Sequence, residues 1–203
     1  MTSKQLTSNQ KNLLILFGVI VPTTVAAIVY LQAAGITDDN LNMLLRLTAR
    51  ISFMIYLVVF VARPMRELFA NITTKWLLRE RRSLGIAFAA MHTVHLGLIA
   101  YRFNTIPGLD YEPSNSIVGG TAYALLYLML ITSFDAPARA LGPKSWKRLH
   151  KIGLYYIGLI FVSTLLPDPG DEIFTLERAW FVLLTASAIF IRLTAYFARR
   201  KKN

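Results

Sequence analysis

Three histidines, His92, His95 and His150, are the only imidazoles in this chain of 203 residues, and all three lie within or at the mouth of long apolar runs. An ionisable side chain in such a run is costly to bury and is a functional candidate by default. His92 and His95 are three residues apart, so on a helix they share a face. With His150 they could ligate a metal. Zinc usually takes four protein ligands, or three and a water. Imidazoles with no carboxylate beside them suit haem better, because haem iron needs only one or two axial ligands from the protein. The competing reading is structural: a membrane histidine can bond a serine, threonine or carbonyl on a neighbouring helix.

Other residues in the same runs carry weaker signals. Arg50 could face a carboxylate such as a haem propionate, or snorkel to the outer surface. Arg192 reads as snorkelling to the inner surface, and Trp76, Trp146 and Trp180 read as interfacial anchors. Gly85, Gly153 and Gly158 read as points of close helix packing. Tyr155 and Tyr156 read as packing aromatics, with an electron path as the second reading. The basic run from Arg79 to Arg82 reads as a topological signal, with partner docking secondary.

The elements that must position these residues follow from hydropathy. The chain is 55% hydrophobic and 16% charged, with a mean hydropathy of +0.47. A span needs about 20 mostly apolar residues. Six stretches qualify: 13–31, 43–62, 84–101, 118–134, 149–166 and 179–197. They predict an all-α integral membrane bundle of six transmembrane helices in a single domain, 1–203. Gly35–Asn40, Pro64, Pro107–Ser116, Gly142-Pro143 and Pro167–Gly170 supply the breaks.

The formal charge of +11 is gathered at span ends, so it orients the chain in a bilayer and does not indicate nucleic acid. Lys4, Lys11, Arg63, Arg66, Lys75, Arg79, Arg81 and Arg82 fall on one side, with Arg139, Lys144, Lys147, Arg148, Lys151 and Arg199–Lys202. Asp38, Asp39, Asp110, Glu112, Asp168, Asp171, Glu172 and Glu177 fall on the other. Basic loops stay cytoplasmic, which predicts both termini inside. The absence of cysteine excludes disulfides, thiolate metal sites and iron–sulfur clusters. No cleavable signal peptide is evident. Paired carboxylates, broken helices and repeated halves, the marks of a transporter, are not found.

The motifs around the histidines resemble a known family. Arg81-Arg82-Ser83-Leu84-Gly85, followed by Phe88 and His95, resembles the opening of the third helix in the ferric reductase-like transmembrane family. Trp146-Lys147-Arg148-Leu149-His150, running on to Tyr155-Tyr156, resembles the opening of its fifth helix. Thr48-Ala49-Arg50 and Ala62-Arg63-Pro64 resemble the second helix of bacterial members. The likeness covers about 43–166 and is nearest to the small bacterial haem-binding membrane subunits, of the kind that serve a methionine sulfoxide reductase.

This resemblance implies a haem b electron-transfer subunit, multi-pass in a bacterial inner membrane, with one haem or two. It implies His150 with His95 or His92 as iron ligands, not all three at once. The motif favours His95. Depth favours His92: at 1.5 Å per residue His95 lies roughly 20 Å past Arg82, whereas His150 lies about 5 Å past Lys147. The second histidine of the family's fifth helix is here Ser163. The implied partners are the lipid bilayer, a quinol or separate reductase as donor, and a periplasmic oxidoreductase as acceptor. A flavin or nicotinamide domain is not expected, since the chain ends at Asn203. The alternative is a haem-free membrane scaffold or assembly subunit of the same fold.

Overall fold

The computed structural model of the chain describes residues 6–109, 113–165 and 176–201. Of the residues read for charge and turns, Lys4, Asp110, Glu112, Pro167–Gly170, Asp171, Glu172 and Lys202 lie outside the described residues, as does the side chain of Glu177. Seven helices and no strand occur among the described residues: α1 (Ser8–Ala34), α2 (Asp38–Leu68), α3 (Ile72–Thr105), α4 (Pro113–Ile131), α5 (Asp135–Leu141), α6 (Pro143–Leu165) and α7 (Leu176–Arg200).

The caps are written in the local sequence. Thr7 and Gln10 form a capping box at the start of α1. Gly35 ends that helix with a φ of 91°, open to glycine and strained for a residue with a Cβ. Thr37 and Asn71 cap α2 and α3 through the backbone N–H groups of Asn40 and Thr74. Pro143 opens α6, where its missing N–H costs nothing.

Helices α2, α3, α4, α6 and α7 contact one another in that order and close into a ring, with α7 returning to α2. Helix α1 packs outside, mainly on α3. The ring interior holds Phe53, Tyr56, Phe88, Leu126 and Phe161, contributed by α2, α3, α4 and α6. Leu14, Phe17, Val21 and Val25 of α1 are exposed. They face lipid, which is as apolar as they are. Packing and interhelical hydrogen bonds must therefore hold the helices together.

Four described helices, α1, α2, α3 and α7, are long and apolar enough to cross a membrane, and a fifth span results if α4 and α5 are counted together. The chain is thus a multi-pass membrane protein. The expected span 118–134 is shorter than read. Helix α4 ends at Ile131, and the chain turns by 106° into α5. The hydroxyls of Thr132 and Ser133 return to the carbonyls of Leu128 and Met129 at this bend. Helix α6 is not among the long apolar helices, because Lys144, Lys147, Arg148 and Lys151 fill its first half.

Ion pairs tie both ends of the bundle. Near the start of α1, Lys11 meets Glu80 at 2.7 Å and Arg82 meets Asp135 at 3.0 Å. At the other end Arg102 binds Asp38 through two bonds of 2.6 and 3.1 Å. Those bonds hold the Asp38 carboxyl below its usual range.

Pro64 explains the position of a half-buried arginine. It lies inside α2 and has no N–H, so the carbonyl of Phe60, four residues earlier, has no helical donor. Arg192 of α7 donates to that carbonyl at 3.1 Å, with its guanidinium 4.1 Å from the Phe60 ring and 4.8 Å from the Tyr155 ring. Arg81 of α3 donates to the preceding carbonyl, Val59, at 3.2 Å. Arg192 is therefore a clasp between α7 and α2, not the free snorkelling cation expected from its position.

Candidate functional site

The three expected histidines fall in two places. His92 and His95 are neighbours on α3, their rings stacked 5.3 Å apart. His150 sits near the start of α6, beside the bend that follows α4. Among the described residues no group of three or more His, Cys, Asp or Glu is placed to hold a metal ion. The structure thus brings two of the predicted ligands together and leaves the third apart.

His95 is held from across the α2–α3 interface. Its Nδ1 lies 2.8 Å from the hydroxyl oxygen of Thr48, a buried residue. That oxygen is also 2.9 Å from the Leu44 carbonyl and 3.1 Å from the Leu45 carbonyl. A hydroxyl has one proton. Were it aimed at His95, the lone pairs would face two carbonyl oxygens at hydrogen-bond distance, which is repulsive. The proton therefore goes to the carbonyls, the oxygen accepts, and His95 donates from Nδ1. Its Nε2 is left as the nitrogen with a lone pair, which is the arrangement that a hydrogen-bond acceptor on the other ring nitrogen imposes on metal-binding histidines.

His150 is built by the same device with the opposite result. Its Nε2 lies 3.1 Å from the Thr132 hydroxyl, which is 2.7 Å from the Leu128 carbonyl and 3.3 Å from that of Met129. The same proton count makes His150 the donor, here from Nε2, and leaves Nδ1 with the lone pair. Trp146 stacks on the ring at 4.1 Å and donates its indole N–H to the Thr132 carbonyl at 2.8 Å. Trp146 thus does more than anchor at the interface: it fixes His150 against the α4–α5 bend.

His92 faces the ring interior. Its ring lies 5.0 Å from Phe88, 5.5 Å from Tyr123 and 5.6 Å from Phe161. Its Nδ1 is buried and has no protein partner. Ser163, where the resemblance led to the expectation of a further histidine, is exposed and donates to its own helix at Ile160.

Two of the three glycines behave as read. A Cβ at Gly158 would land on the hydroxyl of Tyr56, which crosses from α2 to donate to the Leu154 carbonyl at 2.9 Å. One at Gly153 would meet the Met129 sulfur. At Gly85 a Cβ would meet nothing within 4 Å, so no neighbour requires glycine there. Arg50 lies with its guanidinium 5.9 Å from the Phe181 ring. Tyr155 packs edge-on to Phe60 and flanks Arg192, a packing role. Thr48 and Thr132 were not marked as functional by sequence. Thr48 lies on α2 and Thr132 in the turn after α4, each outside the helix of the histidine it holds, and nothing local signals such a pairing.

Comparison with known proteins follows this geometry. The family described as "Ferric reductase like transmembrane component" matches residues 46–162, more than half of the chain, and includes all three histidines. A curated relative, the protein-methionine-sulfoxide reductase heme-binding subunit MsrQ of Azospira oryzae, is 32% identical over 92 residues. That stretch is 43% of this chain and 39% of the relative, so the match spans well under half of either. No solved structure matches.

Proposed function

This chain belongs to the ferric reductase-like transmembrane family, and from that premise we propose that it is a haem b-binding electron-transfer subunit of a bacterial inner membrane. The observation that carries the reading is the Thr48–His95 pair. It leaves His95 Nε2 available as an iron ligand beside an apolar, five-helix interior. The donor set fits haem: imidazoles without carboxylates, on a helix that reaches α6 through Phe88, His92 and Phe161 and is not closely apposed to it. The relative whose name specifies a haem-binding subunit supports the same reading.

When bound, haem supplies one-electron chemistry between its ferric and ferrous states. The chain's own residues set the conditions. Thr48 orients His95, and the apolar ring keeps bulk solvent away from it. Arg50 is proposed to face a propionate. His150 is the second ligand bet: its Nε2 is bonded to Thr132 and its Nδ1 carries the lone pair, so it would join through Nδ1, or through Nε2 after releasing Thr132. His92 is the competing ligand on α3. One haem is proposed, because Ser163 carries no imidazole. A six-span, N-in and C-in topology, a quinol or separate reductase as donor, and a periplasmic oxidoreductase as acceptor complete the proposal. The single domain is taken as 1–203.

A haem-free scaffold is the second reading. It is favoured by Ser163 and by the Thr132 bond that occupies His150. Haem content separates the two. Purified protein from haem-replete cells should give a pyridine haemochrome of the b type near one haem per chain. A stoichiometry near zero selects the scaffold.

A further inference from the structure

We propose that Ser52, His92 and Tyr123 together bind a water molecule inside the helix ring. Four buried side-chain atoms without a protein hydrogen-bond partner occur among the described residues. Three of them are Ser52 Oγ, His92 Nδ1 and Tyr123 Oη.

Their register puts them at one level. Thr48 meets His95 and Tyr56 meets Phe88, at 2.8 Å and 5.9 Å between ring or bonding centres. Ser52 lies four residues from both Thr48 and Tyr56, on their face of α2. His92 lies three residues from His95 and four from Phe88, on their face of α3. Ser52 and His92 are therefore opposite one another across the interface. Tyr123 reaches the same imidazole from α4.

The hydroxyl of Ser52 points away from the usual alternative. Thr48, Thr93, Thr132 and Ser133 all return their hydroxyls to the carbonyl four residues back. Ser52, which is wholly buried, does not. Its proton is thus available to a partner in the interior.

A buried water typically makes about three hydrogen bonds to polar groups that otherwise have none. Two hydroxyls and an imidazole nitrogen, from three helices, supply that number with donors and acceptors of both kinds. Leaving three polar atoms dry in a membrane interior would cost far more than immobilising one water. A corollary, which rests on the haem reading, is that the water network occupies His92 and leaves His95 as the α3 ligand.

The test is a double-substitution cycle on the full purified chain in detergent, using Ser52→Ala, Tyr123→Phe and both together. If the three groups share a water, each single change lowers the apparent melting temperature, by about 2–8 °C. The double change then costs less than the sum, because the second group has lost its shared partner. If the atoms are dry, each change removes an unsatisfied group, and the melting temperature holds or rises. That outcome, or strictly additive losses, overturns the site. Water-edited solid-state NMR on [15N]histidine protein gives a second check: the His92 nitrogen should receive magnetisation from water, and its failure to do so also overturns the site. Neither substitution touches His95 or His150, so a colourless preparation can still show the coupling and a coloured one can still lack it.

Discussion

The hydroxyl of Thr48 accepts the Nδ1 proton of His95 across the α2–α3 interface at 2.8 Å, while giving its own proton to the carbonyls of Leu44 and Leu45. This one bond fixes which imidazole nitrogen is free, and the functional reading grows from it.

Replacing Thr48 with valine keeps the side-chain shape and removes the acceptor. In protein that holds haem, Thr48→Val should shift the midpoint potential and weaken haem retention by about 10–100-fold, the range seen when an outer partner of a metal-bound histidine is lost. Thr48→Ser should restore both, because the hydroxyl returns. A potential and retention unchanged in Thr48→Val would remove Thr48 from the site.

The histidines should separate in the visible spectrum. His95→Ala should abolish the low-spin signal, because the iron loses a strong-field imidazole. His92→Ala should leave the spectrum nearly intact. His150→Ala should convert low-spin to high-spin iron, because one imidazole alone leaves the iron high-spin, and a low-spin spectrum unchanged in His150→Ala would show that His150 is not a ligand. If His95→Ala and His92→Ala both retain full low-spin haem, α3 supplies no ligand.

Pro64 and Arg192 form a coupled pair. Arg192→Met leaves the Phe60 carbonyl buried without a donor and should cost about 1–3 kcal/mol of stability in detergent. Pro64→Ala restores a backbone N–H to that carbonyl. In the Pro64→Ala background, Arg192→Met should therefore cost markedly less, a coupling that thermal denaturation of the four proteins reads directly. Equal costs in both backgrounds would show that Arg192 serves another purpose.

Orientation can be read with reporter fusions. Fusions after Asp39 and Gly108 should score periplasmic, and fusions after Ala70, Gly142 and Lys201 should score cytoplasmic, because the basic segments flank the latter set. A periplasmic score after Lys201 would break the six-span topology.

Much of the helical layout was legible because a span needs a long apolar run and tolerates few charges. Five of the six expected stretches fall within single helices as far as they are described; the basic residues near 199–201 lie at a helix end, those near 139–151 in α5 and the first half of α6, and those near 79–82 two to three turns inside α3. The fourth stretch misled because Thr132, Ser133 and Phe134 are not polar enough to break a hydropathy run. The helix ends at Ile131 all the same, and a hydropathy run does not register the 106° turn that follows.

The candidate site was legible in part. The histidines stood out because they are rare and costly in apolar runs. Their separate surroundings did not, because the Thr48 and Thr132 contacts span 47 and 18 residues of sequence. Arg192 was misread because its partner is a backbone carbonyl freed by a proline on another helix. Its position near a span end looks the same whether it snorkels or clasps.

The central claim is that this bundle binds haem through the histidine that Thr48 holds. The most direct measurement is the reduced-minus-oxidised visible spectrum of the purified chain, taken beside that of His95→Ala. The account predicts a Soret band that shifts on dithionite reduction, with b-type α and β bands, all lost or converted to high-spin in His95→Ala. A flat difference spectrum from haem-replete cells, or an unaltered low-spin spectrum in His95→Ala, would contradict it.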